Sequence, residues 1–158
     1  DKAFSAYGRI FDENCTYRVE PYEGIPELMK ALKDRGMKLG VLSNKPDRQA
    51  VNVVEKIFGN DVFDIVRGQR EGVPRKPDPA AALAIAEAFG AAADETVYIG
   101  DSEVDAATGA AAGMETVLVS WGFRSREVLE SAGAGRARIA DSAEDILDII
   151  DERRKIHE

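Results

Sequence analysis

Short apolar runs alternate along this chain with segments of helical spacing, and most of those segments stop at a glycine. "GIPELMKALKDRG" sets Ile25, Leu28, Met29 and Leu32 on one helical face and ends at Gly36, a natural C-cap. "MKLGVLS" follows, a near-continuous apolar run of the kind found in strands buried on both faces. "DRQAVNVVEKIFG" returns to helical spacing through Val51, Val54 and Ile57, and "VFDIVRG" reads as a second strand. "KPDPAAALAIAEAFG" is a helix with Asp78 as N-cap, Pro79 in its first turn and Gly90 at its end. "TVYIG" and "ETVLVSWG" are strands around an Ala/Gly-rich helix. The helix "SREVLESAG", the weak edge strand "RARIA" and the closing helix "SAEDILDIIDERRK" complete the order. Strand-then-helix alternation predicts an α/β fold, a doubly wound parallel sheet with helices on both faces.

Composition narrows the chemistry. With 158 residues, 44% hydrophobic and 32% charged, the chain suits one globular domain with a sizeable core. No apolar run approaches the length of a membrane span, and "DKAFSAYGRI" is not a signal peptide, so cytoplasmic location is the default expectation. The net charge of -8 argues against nucleic acid or an anionic membrane surface as partner. An acidic protein that handles a phosphate must recruit local positive charge from a metal, a lysine or helix N-termini. Cys15 is the single cysteine and His157 the single histidine. An internal disulfide and a Cys-rich zinc site are therefore excluded, and Ser–His or Cys–His nucleophile systems are disfavoured. Carboxylates, lysine and hard metal ions remain.

Ligands of an open parallel sheet bind outside the carboxyl ends of its strands. "VLSNKP" ends a strand on Ser43 and Asn44, "RKPDP" puts Lys76 just before a helix, and "YIGDSEVD" ends a strand on Asp101 with Asp105 in the next turn. A hydroxyl with backbone amides, an ammonium and a carboxylate suit a phosphate beside a divalent cation, and carboxylate oxygen suits Mg²⁺. Each piece also has a plainer reading. Ser43 and Asn44 are good capping residues, a lone lysine is commonly a solvated one, and Ser102-x-x-Asp105 fits a capping box. Asp101 is harder to assign to capping, because Ser102 already has that role. Gly109-x-x-x-Gly113 suits close packing of helix on sheet, and Trp121 and Phe123 suit packing or rim positions.

In order, these motifs resemble the haloacid dehalogenase (HAD) superfamily, in its phosphoglycolate phosphatase-like branch. Ser43 in "VLSNKP" matches the second motif and Lys76 in "GVPRKPDP" the third. Gly100, Asp101 and Asp105 match the GDxxxD of the fourth, and the resemblance runs from about residue 17 onward. It implies a HAD-like Rossmannoid core and Mg²⁺-dependent hydrolysis of a small phosphorylated metabolite such as 2-phosphoglycolate, through an aspartyl-phosphate. Lys76 and Ser43 are then catalytic and, with Asn44, phosphate-binding. Asp101 holds the metal, and Asp105 orients the metal shell or Lys76, or simply caps its helix. The family's first motif, DxDGT, which supplies the nucleophile, does not occur in this sequence. Residues 1–20 are accordingly expected to be the end of a helical cap, and 21–158 a core without its first strand. That strand lies in the family between the ones ending in Ser43 and Asp101, so this sequence alone is expected to be inactive and poorly stable until joined to the missing N-terminal segment. Two alternatives remain open: a non-catalytic phosphate-binding or interaction module of the same fold, and a sugar-phosphate mutase. The mutase ranks lower because its relatives usually carry a second acid where this chain has Gly100.

Overall fold

The computed structural model describes residues 19–157, which fall into two compact units, the first ending at Glu71 and the second beginning at Gly72. The expected cap segment, up to Arg18, and Cys15 with it, lies outside the described residues.

In the first unit, helix α1 (Ile25–Asp34) is followed by strand β1 (Gly40–Pro46), helix α2 (Asp47–Phe58) and strand β2 (Ile65–Gln69). The two strands are parallel, with Gly40 opposite Ile65 and Leu42 opposite Arg67, and the register then slips so that Pro46 lies opposite Gln69. Asp64 pins this pairing at its start: its backbone N–H donates to the Leu39 carbonyl at 2.8 Å, and its carboxylate accepts the Leu39 N–H at 2.8 Å. Lys33 adds an ion pair to the same carboxylate at 3.3 Å. Helix α2 packs on both strands, and beyond it Phe58 and Phe63 meet edge to face at 5.4 Å.

The second unit runs α3 (Ala80–Phe89), β3 (Val97–Gly100), α4 (Glu103–Ala112), β4 (Glu115–Val119), α5 (Arg126–Gly133), β5 (Arg138–Ala140) and α6 (Ala143–His157). Its strands lie in the order β3–β4–β5, all parallel. Central β4 carries the core: Val117 and Leu118 are 0% exposed, and each such side chain contributes about 1.5–3 kcal/mol by leaving water. Ala106 and Leu129 close over Leu118, with Ala132, Ala137 and Ile139 around them. Gly109 fits here because α4 lies directly on β4, where a Cβ would overlap the Thr116 hydroxyl. At the start of β4, Arg153 of α6 donates to Glu115 at 2.8 Å. No described helix is long and apolar enough to cross a membrane.

The α/β class expected from the alternation is the one observed, with parallel strands and flanking helices. Details differ. The described strands form two sheets, of two and three strands, rather than one. β1 begins at Gly40 rather than Met37 and is half-buried to exposed rather than buried on both faces, since among the described residues β2 is its only strand partner. β4 is the strand that has neighbours on both edges. Helix α3 starts at Ala80 with Pro79 in the cap position, yet Asp78 still makes the expected bond, accepting the Ala80 N–H at 2.9 Å. A short 3₁₀ turn at Ala93–Glu95 has no counterpart in the sequence reading; Glu95 closes it by accepting the Ala92 N–H at 2.8 Å.

Candidate functional site

β3 ends at Gly100, and Ser102 caps the helix that follows, its Oγ accepting the Asp105 N–H at 3.3 Å. This capping turn carries the Asp105 side chain back over Gly100. The contact is so close that any Cβ on residue 100 would overlap the Asp105 Cβ and carboxyl carbon. From there Asp105 Oδ2 accepts the Asp101 N–H at 3.2 Å and the Ser102 hydroxyl at 2.5 Å. Asp105 Oδ1 accepts the Lys76 ammonium at 2.8 Å and the Tyr98 hydroxyl at 3.3 Å. Lys76 precedes a cis peptide bond to Pro77 and lies with its Nζ 6.0 Å from the centre of the Tyr98 ring.

The side chains of Lys76 and Asp105 are only 13% and 9% exposed. Burial by itself pushes the Asp105 carboxyl up. The hydrogen bonds from Lys76 and Ser102 and the Lys76 charge outweigh it, and the net position is below the usual aspartate value. Tyr98 moves the other way: burial, then the neighbouring Asp105 charge, push its hydroxyl well above the ordinary tyrosine range, so it remains a proton donor.

Asp101 is turned to a different neighbour. Its Oδ2 accepts the Phe123 N–H at 3.4 Å from the turn that follows β4. Among the described residues the two acids of the motif are therefore engaged differently: four donors hydrogen-bond the oxygens of Asp105, while one backbone amide hydrogen-bonds those of Asp101. As a hard carboxylate at a strand end, Asp101 fits Mg²⁺, which keeps several waters and takes one or two protein carboxylates. Among the described residues no group of three or more Asp, Glu, His or Cys forms a metal cage by itself.

In the first unit, Ser43 lies just past the last regular pairing of β1, where its Oγ accepts the Lys45 N–H at 3.1 Å. That bond uses an oxygen lone pair and leaves the hydroxyl proton to another acceptor. Asn44 is exposed beside it. The turn is held down on β2 by Asp47, whose Oδ1 accepts the Gly68 N–H at 2.9 Å and whose Oδ2 meets Arg70 at 3.0 Å. Here too a glycine serves close approach, for a Cβ on Gly68 would stand 2.5 Å from the Asp47 Cα.

The structure thus brings Lys76, Asp101 and Asp105 into one bonded cluster in the second unit, and joins Ser43 and Asn44 in one turn of the first. Two participants escaped the sequence reading. Tyr98 shares a strand face with Gly100 by the period of two, which was the available signal for its contact with Asp105. The Gly122–Phe123 step against Asp101 depends on the path of a loop and had no such signal.

Several known proteins are similar to this chain in sequence and fold. The family model for haloacid dehalogenase-like hydrolases matches residues 1–119. A phosphoglycolate phosphatase of Rhodospirillum rubrum is 40% identical, with the match covering 84% of this chain and 63% of the relative. An N-acetylmuramic acid 6-phosphate phosphatase of Pseudomonas aeruginosa is 29% identical, over 89% of this chain and 62% of its own length. A crystal structure of a protein assigned as a phosphoglycolate phosphatase from Lactobacillus delbrueckii subsp. bulgaricus superposes with a TM-score of 0.85 and 36% identity, covering 92% of this chain and 60% of that one. The chain therefore spans about three-fifths of the length of these relatives.

Proposed function

This chain belongs to the haloacid dehalogenase-like hydrolase family, and from that premise we propose that it is the core portion of a Mg²⁺-dependent phosphatase acting on a small phosphomonoester such as 2-phosphoglycolate. The observation that carries the reading is the buried Lys76–Asp105 pair beside Asp101. Both oxygens of that carboxylate are engaged in holding Lys76 and its neighbours in place. Burying an ion pair costs several kcal/mol per ion before the pairing is counted, so such a pair is weak evidence of stability and better evidence of a retained task.

In this reading Lys76 meets the negative charge of the phosphoryl oxygens, and Asp105 positions it. Ser43, with Asn44, donates hydrogen bonds to the transferring group, where pre-set donors act on developing charge. Asp101 is the carboxylate on this chain that would hold Mg²⁺. When bound, the ion supplies positive charge against the phosphoryl oxygens. The nucleophilic carboxylate belongs to the DxDGT motif, which this sequence does not contain, so residues 21–158 are proposed as a core whose first strand comes from the intact protein.

Two relatives are named for different phosphomonoesters, phosphoglycolate and N-acetylmuramic acid 6-phosphate, so the substrate is proposed at the level of a small phosphorylated metabolite. The mutase alternative is weakened by Gly100, since the place of a second acid is closed by Asp105. The test is phosphate release from 2-phosphoglycolate by the intact protein, with and without Mg²⁺. Asp101→Asn is expected to abolish the Mg²⁺-dependent turnover; unchanged activity would remove Asp101 from the metal site. Absence of any turnover by the intact protein would favour the non-catalytic module.

A further inference from the structure

Gly122 has no conformational reason to be glycine. It is not among the residues of positive φ, so the left-handed conformation that favours glycine is not what calls for it. Space is what excludes a side chain. A Cβ at this position would overlap Oδ2 of Asp101 and stand 2.8 Å from its carboxyl carbon. The next amide, that of Phe123, donates to the same Oδ2 at 3.4 Å. One residue further on, Arg124 Nε donates to Glu103 Oε2 at 2.7 Å, tying the turn to the first turn of α4. The Phe123 side chain is 91% exposed, so its backbone alone makes the contact.

The turn after β4 therefore lies against Asp101, while Asp105 accepts the Asp101 amide from the helix beyond it. The carboxylate torsion of an aspartate is soft and broadly distributed, and a ligand that must be ordered on binding loses affinity by that ordering. We infer that the turn Trp121–Arg124 is a clamp that sets the orientation of the Asp101 carboxylate for a divalent cation, with Gly122 as its positioning residue. The inference rests on the reading of Asp101 as a metal ligand. Gly122 supplies room for the carboxylate, the Phe123 amide supplies a fixed donor, and the Arg124–Glu103 pair holds the turn. Losing a group that orients a metal ligand from outside the coordination sphere typically costs about 10- to 100-fold in metal affinity.

The experiment is a calorimetric titration of the intact protein with Mg²⁺ alone, without substrate, alongside the metal-free melting temperature. Gly122→Ala is expected to weaken Mg²⁺ binding by about 10- to 100-fold. Arg124→Ala breaks the exposed pair with Glu103 and also removes a positive charge that acts on Asp101, a loss that by itself would favour a cation. Because the turn is freed, it is still expected to weaken Mg²⁺ binding by about two- to fivefold. Gly133→Ala is the control, since it presses on Ala137 at 3.0 Å away from Asp101 and should lower stability without altering Mg²⁺ affinity. Wild-type affinity in both Gly122→Ala and Arg124→Ala would overturn the clamp. Should Gly122→Ala fail to fold, Arg124→Ala decides alone: weaker binding supports the clamp and wild-type binding overturns it. Asp101→Asn separates the two possible failures. If it binds Mg²⁺ as well as wild type, the metal reading itself is wrong; if it loses binding while the turn variants keep theirs, only the clamp is wrong.

Discussion

The ends of β1 and β3 each carry motif residues, and they hold them by different means. After β3, a lysine and an aspartate are nearly buried, and the oxygens of Asp105 are shared among an ammonium, two hydroxyls and an amide. After β1, Ser43 is tied by one amide two residues away, and the turn is kept in place by Asp47 and the bare backbone of Gly68. The difference follows from charge. An ion withdrawn from water must be compensated wherever it sits, so Lys76 brings a network with it. A hydroxyl needs no counter-ion and can be presented by a turn alone. Function and stability should consequently be coupled at the end of β3 and separable at the end of β1.

Lys76→Ala is the largest test of that coupling. It should lower kcat for the intact protein by about 10²–10³ at saturating substrate. It should also lower stability by on the order of 3 kcal/mol, because Asp105 is left buried without its counter-ion. Lys76→Met combined with Asp105→Leu should regain much of that stability in a urea unfolding curve and none of the turnover. A near-normal rate in Lys76→Ala would reduce Lys76 to a structural residue. Acid probes the same pair from the other side. Because the folded Asp105 titrates below its ordinary range, its stabilising contribution is complete above that range and disappears as pH falls through the lower folded value. Asp105→Asn should flatten this acid-side loss in a series of unfolding curves; an unchanged slope would assign the loss to other carboxylates.

Ser43→Ala is the counterpart in the first unit. We expect kcat to fall by about 10²-fold, the effect of removing one donor from a charge-stabilising site. Stability should change by less than about 1 kcal/mol, the scale of one local side chain–backbone bond. A loss of stability as large as that of Lys76→Ala would erase the contrast between the two strand ends.

Much of the fold was legible because helix and strand periods are written locally. The glycine after α1, with its φ of 74°, and the Ser102 cap could be read from a few residues of sequence. The exposure of β1 could not, since "MKLGVLS" carries the same apolar pattern whether a strand has one neighbour or two. For the site, Lys76, Asp101 and Asp105 could be listed from motif order, but the division of labour between the two acids could not. It depends on Asp105 folding back over Gly100 and on the turn at Gly122 meeting Asp101, both of which are close approaches made in three dimensions.

Tyr98→Phe is the smallest and sharpest of these tests, because it asks which bond positions Lys76. The hydroxyl touches Asp105 Oδ1 at 3.3 Å, against 2.8 Å for the ammonium on the same oxygen. Its removal leaves the ring beneath Lys76 and the ion pair intact, so the cost should be one neutral-to-charged hydrogen bond, about 1.5 kcal/mol of stability or somewhat more. The change in kcat should stay below about tenfold, because the ammonium keeps its own partner. Equal losses in Tyr98→Phe and Lys76→Ala would mean that the tyrosine hydroxyl, rather than the ion pair, sets the geometry after β3. A small loss in stability with kcat nearly unchanged would leave Asp105 as the anchor and Tyr98 as its support, which is what the shorter distance predicts.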